Sequence, residues 1–237
     1  MDQNKNSKYF DLWAKKFVEL PDKNSFHLRS VGKLIRDKYP QFMGNKDMRI
    51  VDLGIGNGRF LASINRGSLP TIVGIDASEE QLKVAKSALS KECYSLSLIK
   101  YNLEEGIPLK NQSADIIISN ATFHHIKDKS RLFQEAYRVL NKNGVLVFFD
   151  FYFNGTEKDV AKETLQKQRR NSTCSKKFIT SIRKERDLLP SCLKEGHPAE
   201  YHVPPRVLIE SLKKAGFVKC EIIPTFYPKY VGIGGVK

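Results

Sequence analysis

Cysteine is scarce in this 237-residue chain and never clustered. Cys93, Cys174, Cys192 and Cys220 form no C-x-x-C pair, so neither a zinc site nor a dithiol redox centre is expected, and no metal ligands are assigned. Nothing in their spacing demands a disulfide, which suits a reducing compartment. Long apolar runs are missing too, since no stretch reaches the ~18–20 residues that span a bilayer. The opening MDQNKNSKYF lacks the apolar core of a signal peptide. These absences lead to the expectation of a cytoplasmic protein with no membrane span. Acidic residues are in deficit, 26 Asp and Glu against 40 Lys and Arg, for a formal charge of +14. That balance suits an anionic partner such as RNA or a membrane surface, or is a solvated lysine-rich face. Repeats and low-complexity blocks are absent as well. With 41% hydrophobic and 28% charged residues, the chain reads as globular rather than disordered.

What is present is an alternation of short apolar runs and amphipathic stretches. Residues 1–45 read as N-terminal helices. KYFDLWAKKFVEL carries Phe10, Trp13, Phe17 and Leu20 at helical spacing, and NSFHLRSVGKLIRDKYP ends at Pro40 with Asn24 or Ser25 as cap. Residues 46–152 then alternate. Strands are expected at MRIVDLG, TIVGID (71–76), LSLIKY (96–101), ADIIIS (114–119) and GVLVFFDF (144–151). Helices are expected at 78–91, capped by Ser78, and at 130–141, with Leu132, Phe133, Ala136, Val139 and Leu140 as the apolar stripe. Near-continuous apolar strands separated by such helices predict a parallel sheet covered on both faces.

Residues 153–203 break the rhythm. They read as a helical insert, with eight basic residues and one acid between Lys167 and Arg186. Residues 204–237 return to a helix (204–216) and two strands, FVKCEIIP and KYVGIGGV. The link TFYP is too short for a crossover, so these strands should form an antiparallel hairpin. The whole of 1–237 is read as a single domain.

The stretch RIVDLGIGNGRF holds the strongest chemical signal. Gly54, Gly56 and Gly58 let a strand-to-helix loop turn sharply and let a ligand approach the backbone. A dinucleotide fingerprint needs a third glycine at position 59, which is Arg. Asp52, two residues before the first glycine, would repel a pyrophosphate but attract an amino group and a sulfonium. S-adenosylmethionine (SAM) carries both. Asp76 ends the second strand, where a carboxylate accepts from a ribose diol, as either NAD or SAM would require. Asn102 follows the third strand, in line with an adenine edge.

VDLGIGNG, GIDAS, NLEEGIPL, ADIIISNATFHHI and RVLNKNGVLVFFDF, in this order, resemble class I SAM-dependent methyltransferases. The nearest type is similar to the ubiquinone/menaquinone-biosynthesis enzymes. The resemblance is strong over about 45–152 and weak over 204–236. It implies an α/β Rossmann-like fold, a seven-stranded sheet of order 3-2-1-4-5-7-6 with strand 7 antiparallel and helices on both faces. It also implies SAM as cofactor and S-adenosylhomocysteine as product. Asp52, Gly54 and Gly56 would face the methionine part, Asp76 and Ala77 the ribose, Asn102 and Leu103 the adenine, with Asn120 beside the cofactor. Many relatives carry Asp where this chain has Asn102, and Asn keeps an acceptor there.

The acceptor is less determined. His124 and His125 follow strand four, where a base or orienting group belongs. Tyr9 and Trp13 in the N-terminal helices, and Tyr201 and His202 at the end of the insert, are the candidate acceptor wall, with His197 and Glu200 nearby. The favoured acceptor is a small molecule. A tRNA or rRNA acceptor, with the basic insert tracking phosphates, is the alternative. No RRM or zinc knuckle accompanies the domain, and SNATF lacks the Pro-Pro of methyltransferases that act on base amino groups. A non-catalytic SAM-binding partner protein is a third reading and an NAD oxidoreductase a fourth. The oligomeric state is left open.

Overall fold

The computed structural model describes residues 9–11, 14, 26–40, 47–64, 69–90, 93–152, 200–225 and 230–237. Trp13, the Asn24 and Ser25 caps, His197 and the basic stretch of the insert lie outside them. The elements are α1 (Phe26–Lys38), β1 (Arg49–Leu53), α2 (Arg59–Ile64), β2 (Leu69–Asp76), α3 (Glu79–Leu89), β3 (Cys93–Lys100), β4 (Ala114–Asn120), α4 (Lys129–Val139), β5 (Leu140–Phe151), α5 (Pro205–Lys214), β6 (Val218–Pro224) and β7 (Tyr230–Val236). Leu103–Glu105 and Phe123–His125 are single 3-10 turns. No described helix is long and apolar enough to cross a membrane.

The seven strands form one sheet in the order β3-β2-β1-β4-β5-β7-β6. β7 runs antiparallel to both neighbours and the other pairings of β1–β5 are parallel, as the resemblance implies. The fold is a Rossmann-like α/β sheet. The period-2 geometry of strands divides its side chains between two cores. Ile50, Ile72, Ile116, Ile118 and Phe149 pack on one face with α1, α2 and α3. Val51, Leu53, Ile117 and Phe148 pack on the other with α4 and α5. This is why the central strands read as continuous apolar runs.

Two boundaries differ from the sequence reading. The helix expected over 130–141 stops at Val139, and β5 begins at Leu140 rather than at 144. Leu140 is fully buried, but it serves the sheet and pairs with Ala114. Asn143 then takes a left-handed φ of 64° beside a register shift. β2 and β3 also start earlier than predicted, at Leu69 and Cys93.

Three fastenings shape the end of the sheet where the strands β1–β5 finish. Ser78 caps α3 by accepting from Gln81 N at 3.1 Å. Its hydroxyl donates to Asp11 Oδ1 at 2.5 Å, which ties the helical residues around Tyr9–Asp11 to α3. Lys129, buried, donates through Nζ to the carbonyls of Ile126 and Tyr201 and fastens the segment leading into α5. Burial lowers the pKa of that amine, although Asp150 and Glu104 oppose the shift.

Candidate functional site

The chain passes from β1 outward to β3, then crosses back to β4 on the other side of β1. The connections after β1 and β4 lead to helices on opposite faces of the sheet, and the strand ends at such a switch are the place where open α/β sheets bind ligands. Asp52, Asp76 and Asn120 all project from the sheet face that carries Ile50, Ile72 and Ile118, by the alternation of their strands.

Asp52 is 1% exposed, and neither carboxylate oxygen has a hydrogen-bond partner among the described residues. Burial pushes its pKa well above the usual carboxylate range, and the nearby Asp76 pushes it further. A buried charge without a partner is expensive, so an unpaired carboxylate here is a demand for a donor. Gln81 Oε1 is likewise buried and unpartnered. Asp76 is better served. Gly56 N donates to Oδ2 at 2.8 Å and Ser78 N to Oδ1 at 2.9 Å. Burial raises the pKa of Asp76, while these backbone donors and that of Ala77 pull it back. With three donors on about four lone-pair sites, the carboxylate keeps one acceptor site. Asp76 thus pins the glycine loop to the end of β2. Gly54, Gly56 and Gly58 hold φ of 73°, 53° and 78°, the left-handed region that glycine adopts without strain.

Asn102 caps the turn that Leu103 opens, its Oδ1 accepting from Glu104 N at 3.1 Å. Leu103 is buried. Asn120 ends β4, and its Oδ1 accepts from the hydroxyl of Tyr230 at the start of β7. The next residue, Ala121, sits at a positive φ of 56° and donates to Phe149 O at 2.8 Å. That turn sends the chain over the ends of β4 and β5.

The histidines lie there. His124 is buried, and Asp150 on β5 holds it twice, taking the backbone N–H at 2.8 Å and contacting ring Nδ1 at 2.5 Å. His125 is half-buried, with its ring centroid 3.9 Å from that of His124 and 5.3 Å from that of Phe10. His202 stacks nearly parallel on His124 at 5.5 Å. Its Nε2 lies 2.7 Å from Glu200 Oε2 and its Nδ1 3.2 Å from Phe151 O. Tyr201 N donates to His124 O at 2.6 Å. Tyr9 is buried and in edge contact with Phe10.

The structure therefore brings Asp52, Gly54, Gly56, Asp76, Ala77 and Asn120 to the strand ends at this switch, and His124, His125, Tyr201 and His202 beside them. Sequence reasoning missed Asp11, Gln81, Asp150 and Tyr230. An acid inside the apolar run VLVFFDF was the one available signal for Asp150. Among the described residues no cluster of His, Cys, Asp and Glu is arranged to hold a metal ion.

A family model described as a methyltransferase domain matches residues 44–197. The arsenite methyltransferase of Mus musculus is 35% identical over 120 residues, covering 45% of this chain and 31% of that protein. The chain thus spans about a third of the length of the curated relatives it matches first. Among solved structures, a SAM-dependent methyltransferase from Aquifex aeolicus superposes with a TM-score of 0.60 at 18% identity, covering 94% of this chain and 97% of that one. Phosphoethanolamine N-methyltransferase 2 of Haemonchus contortus, solved with SAM, gives 0.57 at 16% identity, covering 86% and 51%. At such identities these two likenesses show the fold.

Proposed function

We propose that this chain, which belongs to this methyltransferase-domain family, transfers a methyl group from SAM to a small molecule bound beside the cofactor. The observation that carries this reading is the covering of the strand ends. Phe10 from the N-terminal helical segment meets His125, and Tyr201 from the far side meets His124. Such a two-sided cover suits a compact acceptor better than a polynucleotide backbone.

The residues present fit SAM. Asp52 supplies an unpaired buried carboxylate for an ammonium or sulfonium. Among the described residues a side chain at Gly56 would meet only Gln81 Oε1, at 3.8 Å, so the loop leaves room in front of it. Asp76 keeps a lone pair for a ribose hydroxyl, Ala77 continues that wall, and Gly54 lines the methionine side. Asn102 and Leu103 flank the adenine position, with the Asn102 side-chain NH2 free of the cap as a donor. Asn120 borders the sulfur end. When bound, SAM supplies an electrophilic methyl group on a sulfonium leaving group. The protein positions the acceptor and excludes water.

Arsenite, the acceptor named for the mouse relative, is thiophilic chemistry. Among the described side chains the one free thiol is Cys220 on β6. It lies near the Val218–Val236 end of the hairpin, away from Tyr230, and burial raises its pKa. Cys174 and Cys192 of the insert lie outside the described residues.

Calorimetry of the full chain should show SAM and S-adenosylhomocysteine binding. Asp76→Ala should weaken it by about 1–3 kcal/mol. Absence of binding by the unmodified protein would defeat the cofactor assignment. With radiolabelled SAM and a fractionated extract, label should appear in the low-mass filtrate. Label in retained, ribonuclease-sensitive material would move the assignment to RNA.

A further inference from the structure

Resting on the small-molecule reading, we propose that His124, oriented by Asp150, is the general base of the reaction, and that the acceptor atom carries a proton at neutral pH: a hydroxyl, a phenol or an N–H acid.

The two stacked imidazoles differ in a way that packing alone does not require. His202 has an acceptor at each ring nitrogen, Glu200 at Nε2 and Phe151 O at Nδ1. His124 has one at Nδ1 alone. Its Nε2 makes no hydrogen bond among the described residues. The Asp150 carboxylate accepts from Nδ1 and thereby places the proton of the neutral ring there. Nε2 then keeps its lone pair. Asp150 is held in turn by N–H donors from His124 and Phe151. It is a positioning residue, buried and unable to rotate away without losing those bonds.

The place also fits. His124 follows β4 and Asp150 ends β5, so the pair sits at the same strand ends as Asp52 and Asn120, with Asp150 on the sheet face that carries Phe148. The other charged or titratable groups that face the pair are Lys129 from α4, His202 and Glu200 from the segment before α5, and the adjacent His125. In the step, Nε2 takes the acceptor proton. The freed electron pair forms the bond to the methyl carbon, and the carbon–sulfur pair returns to sulfur, giving S-adenosylhomocysteine. The proton then leaves Nε2 for solvent. An acceptor already ionised at neutral pH would not need this lone pair.

The test is the long-range 1H–15N imidazole spectrum of the full chain at neutral pH, with His124 assigned by His124→Gln. The expected pattern is protonated Nδ1 and unprotonated Nε2. Asp150→Asn should move the proton toward Nε2 while S-adenosylhomocysteine binding stays unchanged. A proton on Nε2 in the unmodified protein, or a pattern indifferent to Asp150→Asn, overturns the inference. The unmodified spectrum decides the point even if Asp150→Asn does not fold. In the radiolabel assay His124→Gln should slow transfer roughly 10²–10⁴-fold with unaltered affinity for S-adenosylhomocysteine. Transfer that ignores His124→Gln also overturns it. Failure of the unmodified protein to bind S-adenosylhomocysteine would instead overturn the underlying cofactor reading.

Discussion

Asp52→Asn is expected to make the ligand-free protein more stable and to cripple its binding of SAM. In the free protein this carboxylate is 1% exposed, unpartnered and close enough to Asp76 to feel its charge. Asparagine keeps the shape and removes the charge that burial disfavours. The melting temperature should rise by about 2–4 °C for each kcal/mol so recovered. The cofactor loses a charge-assisted hydrogen bond worth about 1.5–3 kcal/mol, so its affinity should fall roughly 10- to 150-fold. The sign of the pH dependence follows from linkage. Burial holds the folded-state pKa of Asp52 well above the ordinary carboxylate range, so the folded form holds its proton more tightly than the unfolded chain does. Its contribution is fully present below the unfolded pKa and is lost as pH rises through the folded one. The free protein should therefore lose stability across that interval, and Asp52→Asn should flatten the slope. Some slope remains, because burial also raises Asp76. Melting curves against pH, with and without S-adenosylhomocysteine, measure both effects. A free variant that melts below the unmodified protein would contradict this account.

The part of the candidate site that is legible in the sequence is the part whose partners are close along the chain or fixed by strand topology. Gly54, Gly56 and Asp76 are legible because a strand-to-helix turn needs positive φ and because strand ends in a parallel sheet gather at one edge. Ser78 is legible because its partner is three residues away. The hairpin follows from the brevity of its link. Asp150 was hidden because its meaning lies in His124, 26 positions distant. Tyr230 was hidden because its partner Asn120 is 110 positions away. Asn102 shows the opposite case, where the local demand was overlooked. Its amide oxygen caps Glu104 N, the ordinary habit of Asn before a turn. Leu140 misled because an apolar residue at a helix end serves a helix stripe or a sheet equally well, and the sheet took it.

Gly54→Ala and Gly56→Ala should separate folding from binding within one loop. Both glycines hold positive φ, so either alanine carries a backbone cost of about 1–2 kcal/mol. Their surroundings then diverge. A Cβ at Gly54 would fall inside the Thr122 side chain and lie 2.8 Å even from Thr122 Cβ. The backbone cannot retreat easily, because Gly54 N and Ile55 N both donate to Ile75 O on β2. Overpacking adds about 1–3 kcal/mol, for a total of roughly 2–5 kcal/mol. That is a large share of the roughly 5–15 kcal/mol by which a folded domain is stable. Urea unfolding should register it directly, and pairing Gly54→Ala with Thr122→Gly should return the overpacking part but not the backbone part. At Gly56 a Cβ meets nothing closer than 3.8 Å among the described residues, so stability should drop only by the backbone cost. The methyl group would occupy the space in front of the loop, beside the amide that Asp76 holds. Gly56→Ala should therefore stay folded and lose cofactor affinity, whereas Gly54→Ala loses stability first. Equal unfolding midpoints for the two variants would show that Thr122 does not wall the loop as described.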